Sequence, residues 1–417
     1  MKINSPRGTQ DILPPDSFDW QFLENKAHEI SENYNYQEIR TPVFEYTELF
    51  NRGIGEATDI VEKEMYTFED RGGRSITLRP EMTASVVRSF LENKIYGRAQ
   101  PTKYYYIGPM FRYERPQSGR YRQFHQFGVE VLGSNDPDID VELMAMGIDY
   151  LEKLGLKDFF VELNSIGCPE CRPDYVADLQ EHFSEHEEEL CSDCRRRLTR
   201  NPLRILDCDE CAETTGNAPE ILDYICSQCH DHFAQVKEGL EQLKIDFHIE
   251  PHLVRGLDYY TNTVFEVKSH DLGAQNAIFS GGRYNGLVEE IGDRDVPGSG
   301  WALGLERLLL VLEEQRDEDI KSDLDVYVIK IGARAEKLSL SLLRKLRRAG
   351  FSADTDYGDR SVGSQMKDAD RKNSDYSIIV GEDEIQKDSL TLRDMNTGEE
   401  KMIAQDKIVD VLADKIQ

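Results

Sequence analysis

The sequence predicts an α+β protein: a largely antiparallel sheet with flanking helices, a helical cysteine-rich insertion, and a C-terminal α/β domain. Three observations predict it. The first 310 or so residues hold strand candidates at irregular distances, so no regular βαβ alternation emerges. Gly167 to about Leu243 carries charged helices, four Cys-x-x-Cys pairs and no convincing strand. Beyond Asp325 the pattern turns to strand–helix–strand–helix–strand. A chain of 417 residues is also too long for one ordinary core. The division expected is a core over residues 1–325, with the insertion at 167–245, and a second domain over 326–417.

Taken in order, Ser17 to Tyr34 places Trp20, Leu23, Ala27, Ile30 and Tyr34 at helical spacing, which predicts an amphipathic helix. The run Glu38 to Phe44 is strand-like but contains Pro42, which lacks an N–H, so the strand should lie at an edge or break there. Further strands are expected over Lys103 to Ile107, Phe127 to Leu132, Phe159 to Leu163, Thr263 to Val267 and Ile278 to Ser280. The acidic run Glu313 to Asp319 reads as a linker. After it come a strand (Asp325 to Ile329), a helix (Ala335 to Ala349), a strand (Ser352 to Thr355), a helix (Val362 to Asn373) and a strand (Tyr376 to Val380). No internal repeat of fixed period is visible.

Composition limits the function classes. Apolar residues make up 39% and no stretch approaches the roughly 20 that span a bilayer. The polar start Met1 to Pro6 has no apolar h-region, so a cytoplasmic protein is expected, with its eight cysteines reduced, metal-bound or catalytic rather than disulfide-bonded. Lys and Arg number 50 against 79 Asp and Glu, a formal charge of −29. That figure alone argues against nucleic acid, since phosphate binding needs a cationic surface. Net charge nevertheless reports self-repulsion, not where local basic patches lie. The excess is read as solvated acidic faces.

Four segments carry possible chemistry. Thr77 to Thr83 sets Glu81 after Arg79-Pro80, with a hydroxyl at Thr83. Such a pair suits a substrate ammonium, but from these residues alone a solvated turn is the preferred reading. Gly108 to Glu130 puts Arg112, Arg115, Arg120 and Arg122 between two apolar strand candidates. On a hairpin, Arg112 faces one cleft with Gln126 and Glu130 while the other arginines ride the loop. Guanidinium forks grip phosphate oxygens bidentately, and such a cluster in so acidic a chain is more than a charge-paired surface hairpin. The third segment is Arg255-Gly256-Leu257-Asp258-Tyr259-Tyr260, followed by Ser280-Gly281-Gly282-Arg283-Tyr284, whose glycines serve a bulge or tight hairpin as well as a ligand. Last, Gly304-Leu305-Glu306-Arg307 opens an apolar helix, where a buried Arg307 needs an anionic partner.

Together these residues resemble the histidyl-tRNA synthetases over nearly the whole chain. Pro6 to Asp11 looks like the family's opening, and the first helix with the Pro42 strand like class II motif 1. The Arg112 hairpin looks like motif 2 and Gly304 to Arg307 like motif 3. The Arg255–Tyr260 and Gly281–Tyr284 segments are similar to signatures confined to the histidine enzyme and its close relatives. The resemblance implies a class II sheet, a C-terminal anticodon-binding domain and a homodimer. It implies ligation of histidine to tRNA(His) through a histidyl-adenylate, with ATP and Mg²⁺. Glu81, Thr83 and Gln126 would hold the α-amino group; Glu130 and Tyr260 would bond the imidazole nitrogens, with Tyr259 and Tyr284 completing the pocket. Arg112 would meet the ATP α-phosphate, Arg307 the γ-phosphate, and Arg255 the α-phosphate and histidine carboxylate together. Gln117 and Arg120 would hold the tRNA acceptor end. The competing reading is the histidine-binding regulatory subunit of ATP phosphoribosyltransferase, which resembles this family without charging RNA. It usually lacks the Arg255 signature and the last domain.

The Cys-x-x-Cys pairs have the form of zinc knuckles. Cys168/Cys171 and Cys191/Cys194 enclose 19 residues, a spacing that suits a four-thiolate structural zinc site. Cys208/Cys211 and Cys226/Cys229 repeat the form, so spacing alone leaves the partners open, and reduced thiols on a helical insertion remain the competing reading. They fall outside every active-site segment, which argues against a catalytic role.

Overall fold

The structure is a computed structural model that describes residues 3–55, 58–157, 159–269, 277–316 and 324–416. Contacts divide the chain into two compact units, one of Met1–Leu13 and Asp19–Asp317 and another of Pro14–Phe18 and Glu318–Gln417.

From Asp19 on in the first unit, the helix Asp16–Asn33 buries Trp20, Leu23, Ala27 and Ile30, the stripe its periodicity predicts. Strand β1 (Gln37–Glu38) stops short of Pro42 and β2 (Phe44–Tyr46) resumes beyond it, so the proline splits the run. The two fragments then part: β2 joins β3 (Tyr66–Glu69) and β4 (Ser75–Leu78) in a small antiparallel sheet ordered β2-β4-β3. β1 pairs with β5 (Thr102–Phe111) at the edge of the main sheet. That sheet also contains β6 (Gln123–Leu132), β7 (Phe159–Ser165), β8 (Phe247–Ile249), β9 (Thr261–Ser269), β10 (Ala277–Arg283) and β11 (Gly298–Gly304). Its order is β1-β5-β6-β11-β10-β9-β7-β8, and only the two outermost pairs are parallel.

Helices cover the sheet, and burial does not alternate along its middle strands: β6 is buried from Phe127 to Leu132 and β11 from Gly298 to Trp301. The helix Pro137–Lys153 lies against Phe127, Phe279 and Trp301, whose rings meet edge-on or tilted at 5.0–5.1 Å. Trp301 donates its indole N–H to the Leu143 carbonyl at 2.8 Å. Gly147 is required on that helix because a Cβ there would overlap the Phe279 ring.

The insertion is helical, with no strand between Gly167 and Leu243 among the described residues. Its main helices are Arg172–Glu185, Ser192–Arg197 and Ser227–Leu243. The acidic run departs from the linker expected of it. Glu313 to Gln315 continue the helix Leu305–Gln315, because Leu305, Leu308, Val311 and Leu312 keep one face buried and the acids fall on the other. Asp317 to Asp319 lie outside the described residues.

The second unit follows the expected alternation: β12 (Leu324–Lys330), helix Ala333–Arg348, β13 (Ala353–Thr355), helix Val362–Arg371, β14 (Ser374–Val380). The chain continues as the hairpin β15 (Ser389–Asp394) and β16 (Glu400–Ala404) and the helix Ile408–Ile416, giving the order β13-β12-β14-β15-β16.

Candidate active site

A cavity of about 450 Å³ opens over the middle of the main sheet. Glu130 lies at its floor, on β6 opposite Gly300 of β11, where a Cβ would overlap the Glu130 carboxylate. The carboxylate is 1% exposed. It accepts hydrogen bonds from the hydroxyls of Tyr284 at 2.6 Å, Thr83 at 2.7 Å and Tyr106 at 3.2 Å. Burial pushes its pKa up to about 8 against the pull of those hydroxyls, with the Glu81 charge adding to the rise.

Glu81 corrects the solvated-turn reading. It is 4% exposed, and its carboxylate accepts the N–H groups of Thr83 at 2.6 Å and Ala84 at 3.0 Å. Those are orphan donors of the first turn of the helix Thr83–Glu92, so a short helix start turns what looks like a polar loop into a buried anion. Burial raises its pKa as well, opposed by those N–H groups. Gln126, on the same strand as Glu130, has a buried Oε1 with no hydrogen-bond partner among the described residues, an acceptor facing a cavity that offers it no donor. The phenols of Tyr259, Tyr260 and Tyr284 close this end, the Tyr259 ring centroid lying 4.7 Å from that of Tyr260 and 5.7 Å from that of Tyr284. Burial raises the Tyr260 pKa to about 12.

The arginines line the other end. Arg112 follows directly after β5, and its Nε donates to the Pro80 carbonyl at 2.9 Å, beside the Phe124 ring. Arg307, at the start of the helix Leu305–Gln315, donates to the Ala277 carbonyl at 3.0 Å. Burial and the nearby Arg120 lower its pKa, while Glu266 and Glu114 pull the other way. Arg255 bonds Glu266 at 2.5 Å and the Ser280 hydroxyl. Burial opposes its charge, but Glu266 more than compensates and holds it fully cationic. Lys268, bonded to Glu162 at 2.5 Å and 3.4 Å from Glu266, extends this charge network away from the cavity.

Every histidine-pocket residue expected from the sequence lines this one cavity, as do Arg112, Arg120, Arg255 and Arg307. Gln117 is not among the lining residues; it pairs with Arg120 across the tight turn of the hairpin loop. Tyr106, Phe124, Arg204, Asp207, Glu266 and Ser280 also line it and were not foreseen. Tyr106 and Glu266 sit inside strands whose alternation marks them as sheet residues without saying which face carries the site. Arg204 and Asp207 come from the insertion, where nothing in the sequence points at the cavity. Arg283 turns away: fully buried, it bonds Asp140 at 2.9 Å and the Ser134 and Asp136 carbonyls.

The sulfurs form two groups, a pairing that spacing alone leaves open. Cys168 and Cys171 meet Cys226 and Cys229; Cys191 and Cys194 meet Cys208 and Cys211. The proposed set Cys168, Cys171, Cys191 and Cys194 is therefore corrected, because the insertion folds back so that its first and last pairs adjoin around a nested inner set. Either group of four could hold a zinc ion.

The family described as "Histidyl-tRNA synthetase" matches residues 8–308. The chain belongs to that family. An "Anticodon binding domain" matches residues 325–415. The histidine–tRNA ligase of Halothermothrix orenii is 57% identical, with 98% of this chain and 99% of that protein covered. The corresponding ligase of Pelotomaculum thermopropionicum is 51% identical over 100% of this chain and 99% of its own length. Among solved structures, apo S. aureus histidyl-tRNA synthetase is 42% identical with a TM-score of 0.84, covering 99% of this chain and 100% of that one. A Bacillus halodurans protein described as an ATP phosphoribosyltransferase regulatory subunit/histidyl-tRNA synthetase is 22% identical with a TM-score of 0.66, covering 91% and 99%, and so shares the fold.

Proposed function

We propose that the chain is a histidine–tRNA ligase that activates L-histidine with ATP, releases diphosphate, and transfers the histidyl group to tRNA(His), releasing AMP. The observation that carries the reading is the convergence of Arg112, Arg255 and Arg307 on the cavity that also holds Glu130 and Tyr260. These groups come from four separate stretches of chain, and no packing need draws three guanidiniums to one hollow.

Histidine enters with its imidazole toward Glu130 and Tyr260, walled by Tyr259 and Tyr284. Its ammonium meets Glu81, Thr83 and the unpartnered Gln126 oxygen. ATP lies bent along the arginines, with Arg112 at the α-phosphate and Arg307 at the γ-phosphate. The histidine carboxylate attacks the α-phosphorus in line and diphosphate leaves. Arg255, held in place by Glu266, faces the carboxylate and the α-phosphate together, so it stabilises developing charge without reorganising. Magnesium ions accompanying ATP supply further positive charge. Glu64 and Glu114 line the same cavity, and carboxylate oxygens of this kind are the hard ligands that would hold such a cation. No side-chain nucleophile is required. In the second step the terminal ribose hydroxyl attacks the adenylate carbonyl, with Arg120 and Gln117 on the hairpin loop steadying the acceptor end. We place the enzyme in the cytoplasm as a homodimer through motif 1, where its eight cysteines stay out of disulfides.

The test is ATP-dependent attachment of labelled histidine to a tRNA(His) transcript. Charging of that transcript and not of a tRNA for another amino acid is expected. Histidine binding without charging would instead assign the chain to the regulatory type.

A further inference from the structure

The eight cysteines lie outside the cavity, and the chemistry above makes no use of them. We propose that they bind two structural zinc ions, and that the two sites brace the Arg255–Asn262 segment of the histidine pocket from both sides. The bracing half of this inference rests on the histidine reading of the cavity; the metal half does not.

The geometry is that of a single ion. With Zn–S bonds near 2.3 Å, the edge of a thiolate tetrahedron is about 3.8 Å. In the outer group the sulfurs of Cys168 and Cys171 are 3.5 Å apart, Cys171 and Cys229 3.7 Å, Cys226 and Cys229 3.6 Å. In the inner group Cys191 and Cys208 are 3.8 Å apart. All four sulfurs of each group lie within 4.8 Å of one another. These separations are far beyond a disulfide bond and too short to enclose an iron–sulfur cluster. Backbone N–H groups point at the sulfurs, from Cys226 to Cys171 at 3.0 Å and from Cys191 to Cys211 at 3.3 Å, as thiolates that share a cation require.

An independent observation lies beside the outer group. The Arg172 guanidinium follows Cys171 directly, and its Nε is buried with no hydrogen-bond partner among the described residues. A buried guanidinium needs an anion, and a zinc tetrathiolate carries two net negative charges.

Both groups reach the pocket through short links. From the outer one, Arg172 donates to the Tyr260 carbonyl at 2.5 Å, and Cys229 contacts the Asn262 side chain at 3.7 Å. Asn262 is tied to the start of the insertion by backbone bonds to Gly167 at 2.9 Å and Ile166 at 2.8 Å. The inner group closes the loop 195–207. From it Asn201 donates to Asp258 at 2.8 Å and Arg204 to the Arg255 carbonyl at 3.2 Å. Arg255, Tyr259 and Tyr260 thus stand on backbone held at one end by each site.

The experiment measures zinc and iron by mass spectrometry in full-length protein purified without chelator. It is repeated on C168S/C226S and C191S/C208S, with cobalt substitution to read the thiolate charge-transfer and tetrahedral bands. Two zinc ions per chain are expected in the wild type and one in each double variant. The Michaelis constant for histidine should rise about 10-fold or more in each variant, as loss of a supporting shell does. Circular dichroism reports whether the variants fold, and stripping and re-adding Zn²⁺ to the wild type gives the same comparison without substitution. Protein free of zinc and without a cobalt spectrum, or iron in its place, overturns the sites. Zinc counts that fall as expected while the histidine constant holds within about 2-fold overturn the bracing. A wild type with two zinc ions that activates no histidine sinks the ligase reading and leaves the sites standing.

Discussion

Glu130 is where the pocket's electrostatics concentrate. An ordinary glutamate would be ionised at neutral pH, but with its pKa near 8 the folded, empty pocket retains a proton that the unfolded chain loses above about 4.5. The folded state therefore binds more protons between those values. The stability Glu130 contributes is full below pH 4.5 and is lost as pH rises toward 8. Subtracting the E130Q stability profile from that of the wild type should give a difference that falls across this window; a flat or rising difference in denaturant melts would contradict the buried-acid assignment. Arg255 makes a second test. R255A should slow adenylate formation by about 10²–10³, the cost of losing one fixed donor to transition-state charge, while transfer from preformed adenylate suffers less. Equal losses in single-turnover measurements of both steps would remove Arg255 from the first. At this scale the motif arginines and Glu130 were legible because four guanidiniums in an acidic chain have few structural uses. Glu81 was legible only through the family resemblance, since the helix start that buries it follows an Arg-Pro turn indistinguishable from a surface loop.

Among elements, the hairpin β5–β6 and the antiparallel neighbours β9–β11 bring remote segments to one floor. Their strand cores were visible as apolar runs, but their order in the sheet was not, because register depends on partners far along the chain. A buried network fixes that order. Asp140, on the helix Pro137–Lys153, accepts from Arg283 of β10 at 2.9 Å, Ser299 of β11 at 2.8 Å and His232 of the insertion at 2.7 Å. Arg283 and His232 hold the Asp140 pKa below the usual carboxylate range although burial opposes them. D140A leaves Arg283 buried without its anion, and destabilisation of about 3–5 kcal/mol in urea unfolding is expected. A loss under about 1 kcal/mol would show the network to be dispensable. The β15–β16 hairpin was legible in principle: Leu390 and Leu392 alternate with polar neighbours, the mark of a half-buried strand, and Asn396-Thr397-Gly398 supplies the turn.

For the whole molecule, a formal charge of −29 sets self-repulsion against compaction. Raising monovalent salt from about 0.01 to about 1 M shortens the screening length from about 30 to about 3 Å, so the melting temperature should rise across that range. A falling temperature would mean that the surface ion pairs outweigh the repulsion. The acidity argued against RNA when taken alone; family membership shows how little a net charge says about a local binding surface. The central claim is that one cavity selects an imidazole and places its carboxylate beside an arginine-bound nucleotide. Amino-acid-dependent ATP–diphosphate exchange tests it most directly, each of the twenty amino acids being offered singly. Exchange with histidine alone is the predicted result. Exchange driven by another amino acid, or by none, would contradict it.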